Sequence, residues 1–212
     1  MDKIKEAINA YNKIAELYAY YNYNKLLQFQ LNKFISLLPG KKILDAGCGP
    51  GRDVAYFLEE GLSVIGIDAS LGMIEAAKKR VEKGAFFLMD FRKLKFEDEA
   101  FDGVWCMAGL VNLPREELPV VIGEFYRVLK NDGILYLGIK EGSGEKIVRR
   151  AKYNDEPVPY VYYSLNEIEQ ALKKFDFTIL ESSVTYDEDE GWIEVFAQKN
   201  LPNKEIKDNI SI

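Results

Sequence analysis

The sequence predicts an α/β fold: a mostly parallel sheet with helices on both faces. Three observations predict it. Short apolar runs alternate with amphipathic helical segments from Lys41 to about residue 140, the rhythm of strand–helix–strand crossovers. A glycine-rich loop, GCGPG at 47–51, follows the first of those runs. Near the end, FTILESSVTY and WIEVFAQK flank the turn DEDEG, which suits an antiparallel hairpin.

The elements follow in order. Residues 3–38 read as helix, with Ile4, Ile8, Tyr11, Ala15 and Tyr18 at helical spacing, closed by Pro39-Gly40. KKILDAG is the first strand. Val54, Phe57 and Leu58 share a helical face that Gly61 ends. LSVIGID (62–68) is the second strand, and Ser70 is the expected N-cap of a helix whose Ile74, Ala77 and Val81 face the core. AFFLMD (85–90) and FDGVWCM (101–107) are the third and fourth strands. A helix is expected from Pro114, the favoured first position, with Leu118, Val121, Ile122, Phe125 and Leu129 as its core stripe. Asn131-Asp132-Gly133 then leads into GILYLGI, the fifth strand. Residues 141–163 break the rhythm and carry Tyr153, Tyr160, Tyr162 and Tyr163. Ser164-Leu165-Asn166-Glu167 is a capping box, opening a helix with Ile168, Ala171, Leu172 and Phe175 on one face. A single domain over 1–212 therefore divides into a helical cap (1–40), a core (41–140), an insert and helix (141–174), a terminal hairpin (175–199) and a polar tail (200–212).

Composition narrows the function. The chain has 212 residues with 48% hydrophobic and 29% charged, as expected of a globular protein with a sizeable core. A net charge of -6 argues against a dedicated nucleic-acid binder. No apolar run approaches the roughly 20 residues of a membrane span. The N-terminus shows no signal-peptide core, and the 2 cysteines form no disulfide framework, so a cytoplasmic setting is expected. The chain has 0 histidines, which removes the commonest metal ligand and the commonest general base; no metal site is expected.

Three ligands compete for the glycine loop. A triphosphate loop needs GxxxxGK[ST], but from Gly47 the sixth position, for glycine, holds Arg52 and the next, for lysine, holds Asp53. A dinucleotide fingerprint, GxGxxG, would put its third glycine at Arg52, and Asp53 sits where a helix N-terminus should meet a pyrophosphate. A nucleoside without phosphate fits better. Asp68 ends the second strand about 20 residues after Gly47, the place for a carboxylate that binds ribose hydroxyls. Asp45 precedes the loop and can face an ammonium group. The ligand with a ribose, a carboxylate, an ammonium and no phosphate is S-adenosylmethionine.

ILDAGCGPGRD, VIGIDASLGMIEAAKKR, FLMDF, FDGVWCMAGLVNLP and EFYRVLKNDGILYLGIKEG, in that order, resemble the successive motifs of class I S-adenosylmethionine-dependent methyltransferases. The resemblance covers roughly residues 41–140. It implies a Rossmann-like sheet of seven strands, order 3-2-1-4-5-7-6 with strand 7 antiparallel, and a methyl transfer to a small-molecule acceptor. It implies that Asp45, Gly47, Gly49 and Gly51 line the methionine part of the cofactor and that Asp68 binds the ribose. Ala69 and Met73 would pack near the adenine, Asp90 would meet its exocyclic amine, and Phe91 its neighbouring ring atoms. Met107 and Ala108 would lie beneath the methionine part. YNKIAELY resembles a YDxxAxxY segment of such enzymes, in which Tyr11 and Tyr18 would cover the cofactor. Asn112 stands where many relatives have histidine, so a histidine relay there is excluded.

Other readings stay open at this point. Asn112 serves either the acceptor or a structural cap. Tyr153 and Tyr163 serve either an acceptor lid or an aromatic core. Glu141, just past the fifth strand, is the candidate general base, while Arg149 and Arg150 would suit an anionic acceptor. Methylation of RNA or protein, and a non-catalytic cofactor-binding module, remain alternatives. The expected assembly is a monomer or homodimer.

Overall fold

The computed structural model describes residues 3–187 and 190–200. The tail expected at 200–212 lies outside the described residues except for Asn200, and so does the centre of the acidic turn.

Seven strands form one sheet: β1 (Lys42–Ala46), β2 (Ser63–Asp68), β3 (Ala85–Leu88), β4 (Phe101–Met107), β5 (Leu129–Lys140), β8 (Phe177–Asp187) and β9 (Glu190–Lys199). Their order is β3-β2-β1-β4-β5-β9-β8. β1 to β5 pair in parallel, and β9 runs antiparallel to both β5 and β8. The numbering departs from 3-2-1-4-5-7-6 only because β6 (Glu145–Val148) and β7 (Val158–Val161) form a separate hairpin within the insert. The sequence did not predict that hairpin.

Side-chain alternation explains the layers. Ile43, Trp105, Ile134 and Tyr136 point to one face, under α2 (Gln28–Leu37), α3 (Arg52–Glu59) and α4 (Leu71–Arg80). Leu44, Val104, Cys106, Leu135 and Leu137 point to the other, under α5 (Leu118–Val128) and α6 (Leu165–Lys174). Both faces are buried, which is why these strands read as continuous apolar runs. Trp105 stacks on Tyr136 at 3.9 Å between ring centroids, 12° from parallel.

Two helices differ from expectation. The expected helix over 3–38 is broken between α1 (Lys3–Asn22) and α2. The Asn22 amide donates to the Tyr18 carbonyl at 2.8 Å, ending the ladder in the polar stretch YNYN. The helix expected from Pro114 begins as an α-helix only at Leu118. Pro119 has no N–H and is tolerated only in the first turn, so an α-helix cannot start several residues before it. The predicted caps form: Ser70 accepts from the Met73 N–H, and Ser164 and Glu167 make the reciprocal box.

α1 lies outside the sheet layers, across α4. Its buried face is mostly alanine: Ala7, Ala10, Ala15 and Ala19 with Ile14. Small side chains let it approach closely; a Cβ on Gly72 would come within 2.8 Å of the Asn12 carbonyl oxygen. Among the described residues no helix is long and apolar enough to cross a membrane.

Candidate functional site

The loop after β1 is tied to β2. The Gly47 and Cys48 amides both donate to the Ile67 carbonyl, at 2.8 and 2.9 Å. Gly47 takes φ 82, and a Cβ there would lie 3.0 Å from Gly109 Cα. Only glycine combines that backbone with that closeness. Asp68 accepts from the Gly49 amide at 3.0 Å on one oxygen and from the Ser70 amide at 2.8 Å on the other. Each oxygen keeps a lone pair for a ligand. Burial pushes its carboxyl up to about 6, against the lowering effect of the backbone amides.

Gly51 corrects an expectation. It also has a positive φ, 83, but a Cβ there would meet the Phe86 ring at 3.0 Å and Ala77 Cβ at 3.2 Å. Its missing side chain makes room for helix–sheet packing; of the four residues expected around the methionine part, Gly47 lines the cleft, while Asp45, Gly49 and Gly51 lie behind that lining.

Asp45 is 2% exposed, and its Oδ2 has no hydrogen-bond partner. Burial, with Asp53 and Asp68 nearby, holds its carboxyl well above the usual range. Buried acceptors of this kind demand a donor. Asp53 is instead fully engaged. It accepts from Arg52 at 2.6 and 2.9 Å and from the Trp105 indole N–H at 2.9 Å. Its charge is thus spent on its neighbours rather than presented at the start of α3, so the argument that Asp53 repels phosphate does not hold for this geometry.

A cleft of about 760 Å³, including its mouth, opens at the carboxyl ends of β1 to β4. That is the size range of small-ligand sites, and open parallel sheets bind ligands at this edge. Gly47 forms part of its floor; Asp68, Ala69 and Met73 come from the end of β2 and the start of α4. Asp90 and Phe91 follow β3, and Met107, Ala108, Asn112 and Leu113 follow β4. α1 covers it with Ile4, Ala7, Ile8, Tyr11 and Tyr18. Ala108 sits at φ 58, a left-handed conformation that costs a non-glycine residue energy and that clusters at functional sites.

Sequence reasoning missed Arg92. It lines the cleft and holds both Asp90 oxygens, Nη2 to Oδ2 at 2.6 Å and Nε to Oδ1 at 3.1 Å. The signal was present, an aspartate and an arginine two residues apart after a strand. Asn12 was missed too. It accepts from the Ser70 hydroxyl and the Gly72 amide, across the α1–α4 contact, and nothing local marks it.

Other expected residues fall elsewhere. Glu141 does not line the cleft; it directly follows the interior strand β5, its amide bonded to the Gly191 carbonyl at 2.9 Å. Tyr163 is 1% exposed in the main core, its hydroxyl donating to the Leu113 carbonyl at 2.8 Å, and so is no cleft wall. Tyr153 lies behind the cleft, tilted on Tyr18 at 5.7 Å and receiving the Asn22 amide at 2.6 Å. Asn112 is in the cleft lining while its amide donates to the Pro159 carbonyl at 2.6 Å, tying β4's exit to β7.

Comparison with known proteins agrees with this frame. A family profile described as Methyltransferase domain matches residues 43–133. A malonyl-[acyl-carrier protein] O-methyltransferase of Hamiltonella defensa is 29% identical over 77% of this chain and 61% of its own. A sterol 24-C-methyltransferase of Schizosaccharomyces pombe is 30% identical over 73% of this chain and 44% of its own. The chain thus spans about half the length of the curated relatives it matches. The crystal structure of a SAM-dependent methyltransferase from Methanosarcina mazei superposes with a TM-score of 0.72 at 23% identity, covering 80% of this chain and 98% of that one. Loop, strand order and profile converge: over residues 43–133 the chain is a methyltransferase domain, built on the fold of the S-adenosylmethionine-dependent methyltransferases.

Proposed function

We propose that the chain binds S-adenosylmethionine in this cleft and transfers its methyl group to a small-molecule acceptor. One observation carries the reading: the orphaned, buried Oδ2 of Asp45 beside the Gly47 loop. An ammonium group satisfies it. The rest of the donor set fits the same ligand. Asp68 offers two acceptor oxygens for a pair of ribose hydroxyls, and Ala69, Met73 and Phe91 give apolar surface for a purine. Phosphate is poorly served, since the one cation lining the cleft among the described residues, Arg92, is already paired with Asp90.

When bound, S-adenosylmethionine supplies a methyl carbon on a positively charged sulfur, an already activated leaving group. The protein's part is then mostly positioning and the exclusion of water. Gly47 and Asp68 hold one end of the cleft, and the α1 residues Ile4, Ala7 and Ile8 close it with apolar side chains. Asp45, buried next to the Gly47 loop and behind the cleft lining, would balance the charge of an ammonium group held at that loop. With the cysteine thiols of Cys48 and Cys106 free and buried, we place the protein in a reducing compartment such as the cytoplasm. The relatives' names give one acceptor carried on a protein and one sterol, so the acceptor is not transferable from them.

Native mass spectrometry and isothermal titration with S-adenosylmethionine and S-adenosylhomocysteine test the donor. Saturation below about 1 mM is expected; none would sink the reading. A methyl-release screen over amines, phenols, acids, tRNA and protein tests the acceptor, with turnover expected only on small molecules.

A further inference from the structure

Resting on that reading of the cleft, we propose that the acceptor carries a carboxylate, which Arg150 binds in a narrow pocket behind Tyr11 by taking the place of Glu190.

Tyr11 lines both the cleft and this second pocket, whose other walls include Tyr153, Tyr160, Val148 and Val158. The walls enclose about 240 Å³, roughly a third of the cleft's volume of about 760 Å³. Tyr11 and Tyr160 share a hydrogen bond between their hydroxyls, and both line the narrow pocket. Arg150 also lines the pocket, with its guanidinium 5.7 Å from the Tyr160 ring centroid. A guanidinium packed among aromatic rings must keep an anionic partner. Here the partner is Glu190, at 2.8 Å, on the first residue of β9 and with its side chain 54% exposed. Glu190 does not depend on Arg150. Its other oxygen is held by Lys140, which is 3% exposed and lies 3.8 Å over the Trp192 ring. An incoming carboxylate can therefore claim the Arg150 fork while Glu190 stays paired with Lys140. The exchange leaves no charge bare, and it replaces one planar anion with another in a position already shaped for it. The other acidic wall, Glu156, does not compete for Arg150, because Lys13 holds it at 2.6 Å.

The test uses matched pairs on protein loaded with S-adenosylhomocysteine: 4-hydroxybenzoate against 4-hydroxybenzamide, and phenylacetate against phenylacetamide, with phenyl phosphate as a further arm. Titration should show each carboxylate binding about 10-fold or more tighter than its amide, the scale of a charge-assisted hydrogen bond. Arg150→Gln should abolish the preference and leave uptake of the donor product unchanged. Glu190→Gln should strengthen carboxylate binding, a gain that a misfolded variant cannot produce. Equal binding of acid and amide, a preference that survives Arg150→Gln, or no carboxylate binding overturns the proposal. Phenyl phosphate outbinding every carboxylate overturns the carboxylate assignment. Donor uptake without acid preference defeats this proposal alone; no donor uptake defeats the methyltransferase reading first, and this one with it.

Discussion

The amide oxygen of Asn12 accepts from the Ser70 hydroxyl at 2.8 Å, so the N-terminal helix is fastened to the turn that carries Asp68. The same oxygen takes the Gly72 amide at 3.0 Å. Asn12→Ala removes the acceptor for both. We expect a loss of about 1 kcal/mol in unfolding free energy, despite the better helix propensity of alanine. Urea denaturation measures it; an unchanged midpoint would show the clasp to be idle.

Asp68→Ala should weaken S-adenosylmethionine binding by about 1–3 kcal/mol, the range for hydrogen bonds to a charged group. Isothermal titration decides this. Wild-type affinity in the variant would remove Asp68 from the ribose.

The pH dependence follows from the same carboxyl. Its folded value is about 6, above the unfolded value of roughly 3.9. Between those values the folded chain holds the extra proton, so this group favours folding as pH falls from 6 toward 4 and disfavours it as pH rises. Donor binding has the opposite sign, because hydroxyl donors favour the ionised form. Affinity should decline as pH falls through about 6 in the wild type and stay flatter in Asp68→Asn. The difference isolates Asp68 from Asp45, whose carboxyl is also raised. Parallel profiles for the two proteins would contradict it.

Asp53→Ala leaves the Trp105 indole N–H without its acceptor and Arg52 without its carboxylate. Removing one partner from such a buried set costs about 3–5 kcal/mol. Chemical denaturation should show it, with lost near-ultraviolet signal from the Trp105–Tyr136 stack. A cost below 1 kcal/mol would mean that water replaces the carboxylate.

Gly51→Ala should destabilise by about 1–3 kcal/mol, from the positive φ and the crowding of Phe86. Donor affinity in the folded fraction should hold, since the residue faces the core. A donor-binding defect without a stability defect would return Gly51 to the cleft.

The sheet was legible in the sequence for a local reason. FDGVWCM is apolar on both faces, and β4 spans those same residues. Ser164 and Glu167 declare a helix start within four letters. What stayed hidden depends on distant partners. A glycine does not say whether its empty side faces the backbone of Gly109, as at Gly47, or the ring of Phe86, as at Gly51. Tyr153 and Tyr163 belong to the same tyrosine-rich stretch, yet Tyr163 turns into the main core and Tyr153 toward α1. Asp53 was read by its place at a helix start, whereas its partner Trp105 comes from β4, 52 residues further along the chain.

Tyr11 packs edge-on against Tyr18 at 5.9 Å and forms a wall of both the large cleft and the narrow pocket. One side chain thus shapes two compartments. Any influence passed through it must run equally in both directions. By whatever factor an occupant of one chamber strengthens its neighbour, the neighbour returns the same factor. Whatever factor S-adenosylhomocysteine applies to the dissociation constant of a carboxylate probe, the probe should apply to that of S-adenosylhomocysteine, and titrations in the two orders of addition should return equal factors.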